Sequence, residues 1–304
     1  MSRIMVGRLA WVACCIAMMS ANVRADEPGK VGNKGIRQDG LVAMNKQGTV
    51  LVDKAGKRVL LKTKVVLRKG ALELFCCLKE TKEHESIVSV DARAQDVHAA
   101  LLLVGAEPGS PCRYDPKFIP PKGPIIDLFV QWIDEQGKLH REKGQSWIRG
   151  STQRYFVAPL EELPENTEIE DETDLRYDKK HRELFWFGVM NETQKTHWSN
   201  QSDDEEYQKA IAKIFFESQI KEMNADWVFA GSYFGKDEVL KEEFYAAEDG
   251  DLICVSNFSN ATLDVNGESV NNNAALLYEA YTERIPALET EVTLELVPRV
   301  EKGK

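Results

Sequence analysis

Beyond residue 25 the sequence lacks any apolar run long enough to cross a bilayer, which takes about 20 residues, so no integral membrane segment is expected in the mature chain. The spacings that announce common chemistries are missing too. There is no Cys-x-x-Cys, no His-x-x-x-His and no His-Glu-x-x-His, hence no ready-made pair of metal ligands. Neither a phosphate-cradling glycine-rich loop nor a Gly-x-Ser-x-Gly elbow occurs. Base is in short supply: 39 Lys and Arg face 49 Asp and Glu, a net charge of −10. Such a surface repels phosphate backbones and anionic headgroups, which disfavours nucleic acid and peripheral membrane partners. No fixed-period repeat and no regular β-α alternation is visible, so solenoids and doubly wound parallel sheets are excluded as readings.

What is present begins with an export signal over residues 1–25. Arg3 and Arg8 precede the apolar run Leu9 to Met19, and Val23-Arg24-Ala25 sets small residues for a cut before Asp26. Cys14 after Val12-Ala13 resembles a lipoprotein box, but Trp11 stands where an aliphatic residue is wanted, so lipidation is the minor alternative. Cleavage removes Arg3, Arg8 and Arg24 and no acid, which takes the net charge from −10 to −13. It leaves Cys76, Cys77, Cys112 and Cys254, and in an oxidising compartment these permit two disulfides in three connectivities. A disulfide through Cys76 or Cys77 is expected ahead of any catalytic thiol.

Residues 26–45 read as a flexible, glycine-bearing leader. Val50-Leu51-Val52 and Val59-Leu60-Leu61, split by Asp53-Lys54-Ala55-Gly56, read as a hairpin. Leu72–Leu78 alternates Leu72, Leu74, Cys76 and Leu78 onto a core face and Glu73, Phe75, Cys77 and Lys79 onto the other. A tight polar turn leads to the strand Ile87–Val90. A helix from about Arg93 to Val104 follows, capped by Asp91, with Val97, Ala100, Leu101 and Val104 inward and Gly105 as its stop. Ile125–Ile133 and Leu139–Ile148 read as a long hairpin.

Past Gly150 the composition shifts. Glu161 to Asp174 carries eight acids and no base, a solvated loop with no Asp/Asn-rich calcium pattern. Leu184–Phe187 reads as a strand, and Ser202 with Glu205 as a capping box for a helix to about Met223. Trp227–Phe229, Leu252–Val255, Thr262–Val265 and Val292–Val297 are strand candidates. The predicted fold is α+β, mainly antiparallel sheet with few helices. One domain over 46–300 is interrupted by an acidic, partly helical insertion at about 151–221. Trp132, Trp147, Trp186, Trp198 and Trp227 are expected in the core ahead of a sugar or peptide groove.

Residues 72–111 hold the densest run of reactive side-chain types. Glu73, Cys77, Lys82, His84, Glu85 and His98 form the candidate functional cluster. Thiolate, imidazole and carboxylate suit zinc or iron, which makes Cys77, His84 and His98 the metal candidates, with no confident cofactor. A thiol beside an imidazole with Glu73 behind it is the minimal nucleophilic arrangement. Against both stands the bland reading, in which His84 and His98 bond to backbone in the interior and Lys82, Glu83 and Glu85 lock a turn.

The run Glu73-Leu-Phe-Cys-Cys77-Leu-Lys-Glu-Thr81-Lys82-Glu83-His84-Glu85-Ser86 resembles the signature of the YdjY-domain proteins, in which a Glu and a Cys precede a Thr-Lys-x-His-Glu core. Asp96–Leu102 with Gly105-Ala-Glu-Pro108-Gly109, Ala225–Ser232, Gly250–Phe258 and Thr282–Pro286 resemble further blocks of its exported forms. Glu80 stands where that family more usually has a small or neutral turn residue. The resemblance implies an exported domain and no established activity. The expectation is therefore a periplasmic or cell-envelope protein that acts as a non-catalytic binding or interaction module. Its partner would be an envelope protein or a small-molecule ligand. The alternative is a metal-dependent or thiol enzyme using Cys77, His84, Glu85 and His98.

Overall fold

The computed structural model describes residues 40–114, 116–150, 155–165, 167–169, 174–236, 241–267 and 278–299. The expected signal peptide, Cys14 and Cys15, and the leader up to residue 39 lie outside the described residues.

In chain order the first strands are β1 (Leu41–Ala43), β2 (Val50–Asp53), β3 (Arg58–Val65), β4 (Leu74–Leu78) and β5 (Ser86–Val90), followed by helix α1 (Ala94–Leu103). Next come β6 (Ile125–Ile133), β7 (Leu139–Lys143) and β8 (Ile148–Gly150), then β9 (Tyr155–Pro159), β10 (Leu175–Asp178) and β11 (Glu183–Phe187). Helices α2 (Glu192–Ser199) and α3 (Glu205–Ser218) precede β12 (Trp227–Phe229), β13 (Phe234–Lys236) and β14 (Glu243–Tyr245). The last strands are β15 (Ile253–Cys254), β16 (Leu263–Val265), β17 (Tyr278–Ala280) and β18 (Glu291–Pro298).

The fold is α+β, with antiparallel pairing dominant. Eight strands close into a barrel in the order β3-β18-β6-β12-β16-β15-β4-β5, with β5 returning to β3. Register explains why the barrel closes around one core. Val59, Leu61 and Val65 on β3 share a face with Leu296, Leu294 and Val292 on β18, and these pair on to Leu128 and Val130 of β6. Trp227, Val265, Leu263 and Ile253 continue the same row, and Cys76, Val88 and Val90 bring it back to β3. All are buried, while Lys62 and Lys64 on the alternate face of β3 are exposed. Each fully buried side chain of this size contributes about 1.5–3 kcal/mol. Val97, Ala100, Leu101 and Val104 of α1 join the same core, and Gly105 ends the helix at φ +89°.

A second, separate core lies between β8 and β12 in sequence. There Phe156, Ala158, Leu175, Leu184 and Trp186 on one face of the β10-β11-β9 sheet pack with Trp198, Tyr207, Ile211 and Ile214 from α2 and α3.

Several expectations need correction. Residues 41–43 of the expected leader form β1, paired to β2 through Leu41↔Asp53 and Ala43↔Leu51. Helix α1 is not capped by Asp91. Its first amides, those of Ala94 and Gln95, donate to the Glu248 carboxylate at 3.1 and 3.0 Å, a cap supplied from more than 150 residues away. Asp204, not Ser202, caps α3, accepting from Tyr207 N at 2.9 Å, and the helix stops at Ser218 rather than near Met223. A capping box does occur, at Asn191 and Gln194 of α2, a helix the sequence reading missed. Strand β4 is buried on both faces, because Leu74 packs with Cys254 and Ala261 while Phe75 meets Trp147 and Trp227. The second arm of the long hairpin ends at Lys143.

Candidate functional site

The signature residues sit where the chain does something unusual. Strands β4 and β5 are neighbours and run parallel, Leu74 facing Ser86 and Leu78 facing Val90. Parallel neighbours normally need a crossover of a dozen residues or more. Here the chain returns from the end of β4 to its start in the seven residues Lys79 to Glu85. Five strand residues cover about 13 Å and seven extended ones would reach about 23 Å, so the return closes directly even with Glu83–Glu85 wound into one 3-10 turn. The sequence expectation of a tight turn between two strands is thereby corrected.

That path decides the neighbours of each signature side chain. The return starts with Glu80 in the left-handed region at φ +64°, where a residue without Cβ strain is favoured. Thr81 Oγ1 donates to Leu78 O at 2.6 Å, and the Cys77 thiol lies beside Thr81 and Ser86. At the far end Glu73 N donates to Glu85 O at 3.2 Å, so the carboxyls of Glu73 and Glu85 meet. Between them, Lys82 Nζ bonds Asp251 Oδ1 at 2.7 Å and lies 5.0 Å from the centre of the Phe258 ring. Asp251 Oδ2 in turn accepts from Asn260 Nδ2 at 2.7 Å. Gly250, at φ +115°, lets the two segments approach, since a Cβ there would lie 2.6 Å from Thr81 Oγ1.

The electrostatics follow from burial. Glu73 is 8 % exposed, and its carboxyl is held above the usual range by burial first and by the neighbouring Glu85 second. Burial works against charge on Lys82, yet the bond to Asp251 outweighs it and holds the ammonium above its ordinary pKa. Burial pushes the Cys77 thiol up, and Cys76 and Cys254 further. Cys112 is pushed up to about 12 by burial and by Asp264. Asp264, nearly sealed from solvent, is itself pushed up to about 8 by burial, although Val265 N and Asn257 Nδ2 donate to it. Thiols of this kind are protonated at neutral pH and poor nucleophiles.

Of the six candidates, the structure brings together Glu73, Cys77, Lys82 and Glu85. His84 turns outward, its side chain 77 % exposed and only 3.8 Å from Glu85 Oε2. Because β5 runs parallel to β4, His84 stands at the Glu73 end of the strand pair, opposite the Cys77 end. His98 belongs to another network: its Nδ1 lies 2.9 Å from Tyr245 Oη, and its ring packs edge-on against Phe229, Phe234 and Tyr245. Burial lowers its pKa, so the imidazole is neutral. The buried-histidine reading thus holds for His98 and fails for His84. Cys76, Cys77, Cys112 and Cys254 are all buried and free, against the expected disulfide. Among the described residues no group of three His, Cys, Asp or Glu side chains could hold a metal ion.

Sequence reasoning missed Asp251, Asn260 and Glu248. Gly250-Asp251 stood in a block noticed for its resemblance, but a lone Asp before a strand carries no sign that it faces Lys82. The Thr282–Pro286 block is anchored similarly, by Thr282 Oγ1 donating to Arg68 O at 2.6 Å and Arg68 Nε donating to Ile285 O at 3.0 Å.

An eight-strand barrel whose short parallel return is clamped by a half-buried ion pair is the class of protein this architecture defines. Residues 50–154 match the family model of the YdjY domain, so the chain carries a YdjY domain over that segment. No curated protein and no solved structure matches the chain. The matched segment holds the signature return but not β12, β15, β16 or β18, which the barrel needs to close.

Proposed function

We propose that the protein is an exported, non-catalytic binding or interaction module of the cell envelope. In this reading Glu73, Cys77, Lys82 and Glu85 form a structural latch, with His84 at its rim. One observation carries it: Lys82 Nζ is committed to Asp251 Oδ1, so this cation of the signature is taken up by an acid of the same chain. Burial of Cys77 supports it, because a nucleophile must meet its substrate. The chain would reach the periplasm through residues 1–25 and be cut after Ala25. The 151–221 segment would be an insertion with its own core, carried on the domain.

Three measurements on the purified full chain test the reading. Native Cys77 should resist a thiol reagent and become reactive once the latch is broken by Asp251→Asn. Metal analysis of protein prepared without affinity nickel should find no stoichiometric metal. Cell fractionation with N-terminal sequencing should find envelope protein beginning at Asp26. Rapid native alkylation of Cys77, or one bound zinc or iron lost on Cys77→Ser, would support the enzyme alternative instead. Cytoplasmic protein retaining Met1 would overturn export.

A further inference from the structure

The three-stranded sheet β10-β11-β9 has one face sealed by α2 and α3, so the other should be polar if only water meets it. It is not. Cross-strand register sets Arg176 beside Phe185 beside Val157, and Phe187 beside Tyr155, on that outer face. Tyr155 is 52 % exposed and Phe187 40 %. The Tyr155 ring lies 6.0 Å from that of Phe185 and 6.4 Å from that of Phe187, so the three make one continuous aromatic surface. Tyr and Phe supply a large contact area at low entropic cost, which suits recognition better than solvent.

Size and charge decide what fits. Three strands about 4.8 Å apart and four to five residues long give a footprint of about 14 by 15 Å, or roughly 210 Å². A stable protein partner or second copy covers about 800 Å² on each side, so this face is too small for one. The charges on it are committed locally. Arg176 lies over the Phe187 ring at 5.2 Å, and Asp178 bonds His181 at 2.7 Å together with two turn amides. Among the described strand residues of this face Arg176 stands with Asp178 and Glu183, so it presents both signs and no single-sign cluster. A peptide strand would seek backbone groups at a sheet edge, whereas this surface offers ring faces.

We propose that this outer face binds a neutral oligosaccharide. The C–H faces of its sugar rings lie on Tyr155, Phe185 and Phe187, and its hydroxyls meet Arg176, Asp178 and Glu183 at the border. The site is separate from the signature latch, which is read out by melting of Lys82 and Asp251 variants, so either can fail without the other.

The test is affinity gel electrophoresis of the full chain through soluble β-glucan, xylan and mannan. At least one should retard the protein, and Tyr155→Ala/Phe187→Ala should weaken that binding about tenfold or more. Phe216→Ala, which removes an exposed ring from α3, should leave it unchanged, and all variants should keep the parent circular dichroism spectrum. The proposal is overturned if no polysaccharide retards the chain or if the double variant binds as well as the parent. It is equally overturned if sedimentation shows a dimer that this variant dissociates.

Discussion

Replacing Lys82 with Met removes the cation from a bond whose acceptor, Asp251, has only 3 % of its side chain exposed. The carboxylate would then keep Asn260 as a partner but lose its counter-charge. Breaking a buried pair by deleting one member costs about 3–5 kcal/mol, because the other charge is left in a poor solvent. Lys82 is itself 26 % exposed, so water can enter the vacated space, and the lower end, about 3 kcal/mol, is expected. In a chain of this size 1 kcal/mol moves the melting temperature by about 2–4 °C, which places the shift at about 6–12 °C downward. Deleting both partners as Lys82→Met/Asp251→Leu should cost less than the two single changes added together, since no orphan charge remains. Thermal and urea melts of the four proteins measure this cycle. A single-variant cost below about 1 kcal/mol with strictly additive effects would refute the latch, because exposed pairs behave that way.

Three further outcomes follow from the same geometry. Glu73→Gln should melt above the parent at pH 8 and match it at pH 4. A carboxyl raised in the fold contributes stability that is full below its unfolded pKa and lost as pH climbs through the folded one; a variant that melts lower at pH 8 contradicts this. Glu80→Gly should stabilise by up to about 1 kcal/mol in a urea melt by relieving the left-handed backbone, and a loss would mean the Glu80 carboxylate's contact with Lys79 Nζ at 3.9 Å matters more. Glu295, buried on β18, accepts from Arg58 at 2.6 Å, Arg141 at 2.8 Å and Gln131 at 2.8 Å. Glu295→Ala should cost about 3 kcal/mol at neutral pH, a loss that shrinks as acid protonates the parent carboxylate through its lowered pKa; a pH-independent cost would point to packing alone.

Much of the fold was legible because its cause is local. The apolar runs at Val59–Leu61 and Ile125–Ile133 and the i, i+3, i+4, i+7 stripe of α1 belong to the chain itself, and strands and a helix formed where they lie. Gly105 stopped its helix for the same reason. The caps were less legible: Asp91 and Ser202 have the right chemistry, but Glu248 and Asp204 occupy the helix ends. Capping is a competition for a few amides, and a carboxylate brought by the fold can win it over one nearby in sequence.

The candidate site divides along the same line. From residues 72–86 alone one could say that reactive side chains cluster and that Glu73, Cys77, Lys82 and Glu85 lie within one short stretch. Period two says which residues share a face of a strand, yet it does not say which way the next strand runs. Only the tertiary structure decided that β4 and β5 are parallel, and that choice sends the chain back along β4, buries Cys77, and turns His84 to solvent. It also brought Asp251 from 169 residues away onto Lys82 and kept His98 with Tyr245. Burial and partner choice are properties of the closed barrel, set by strand order and not by any window of sequence.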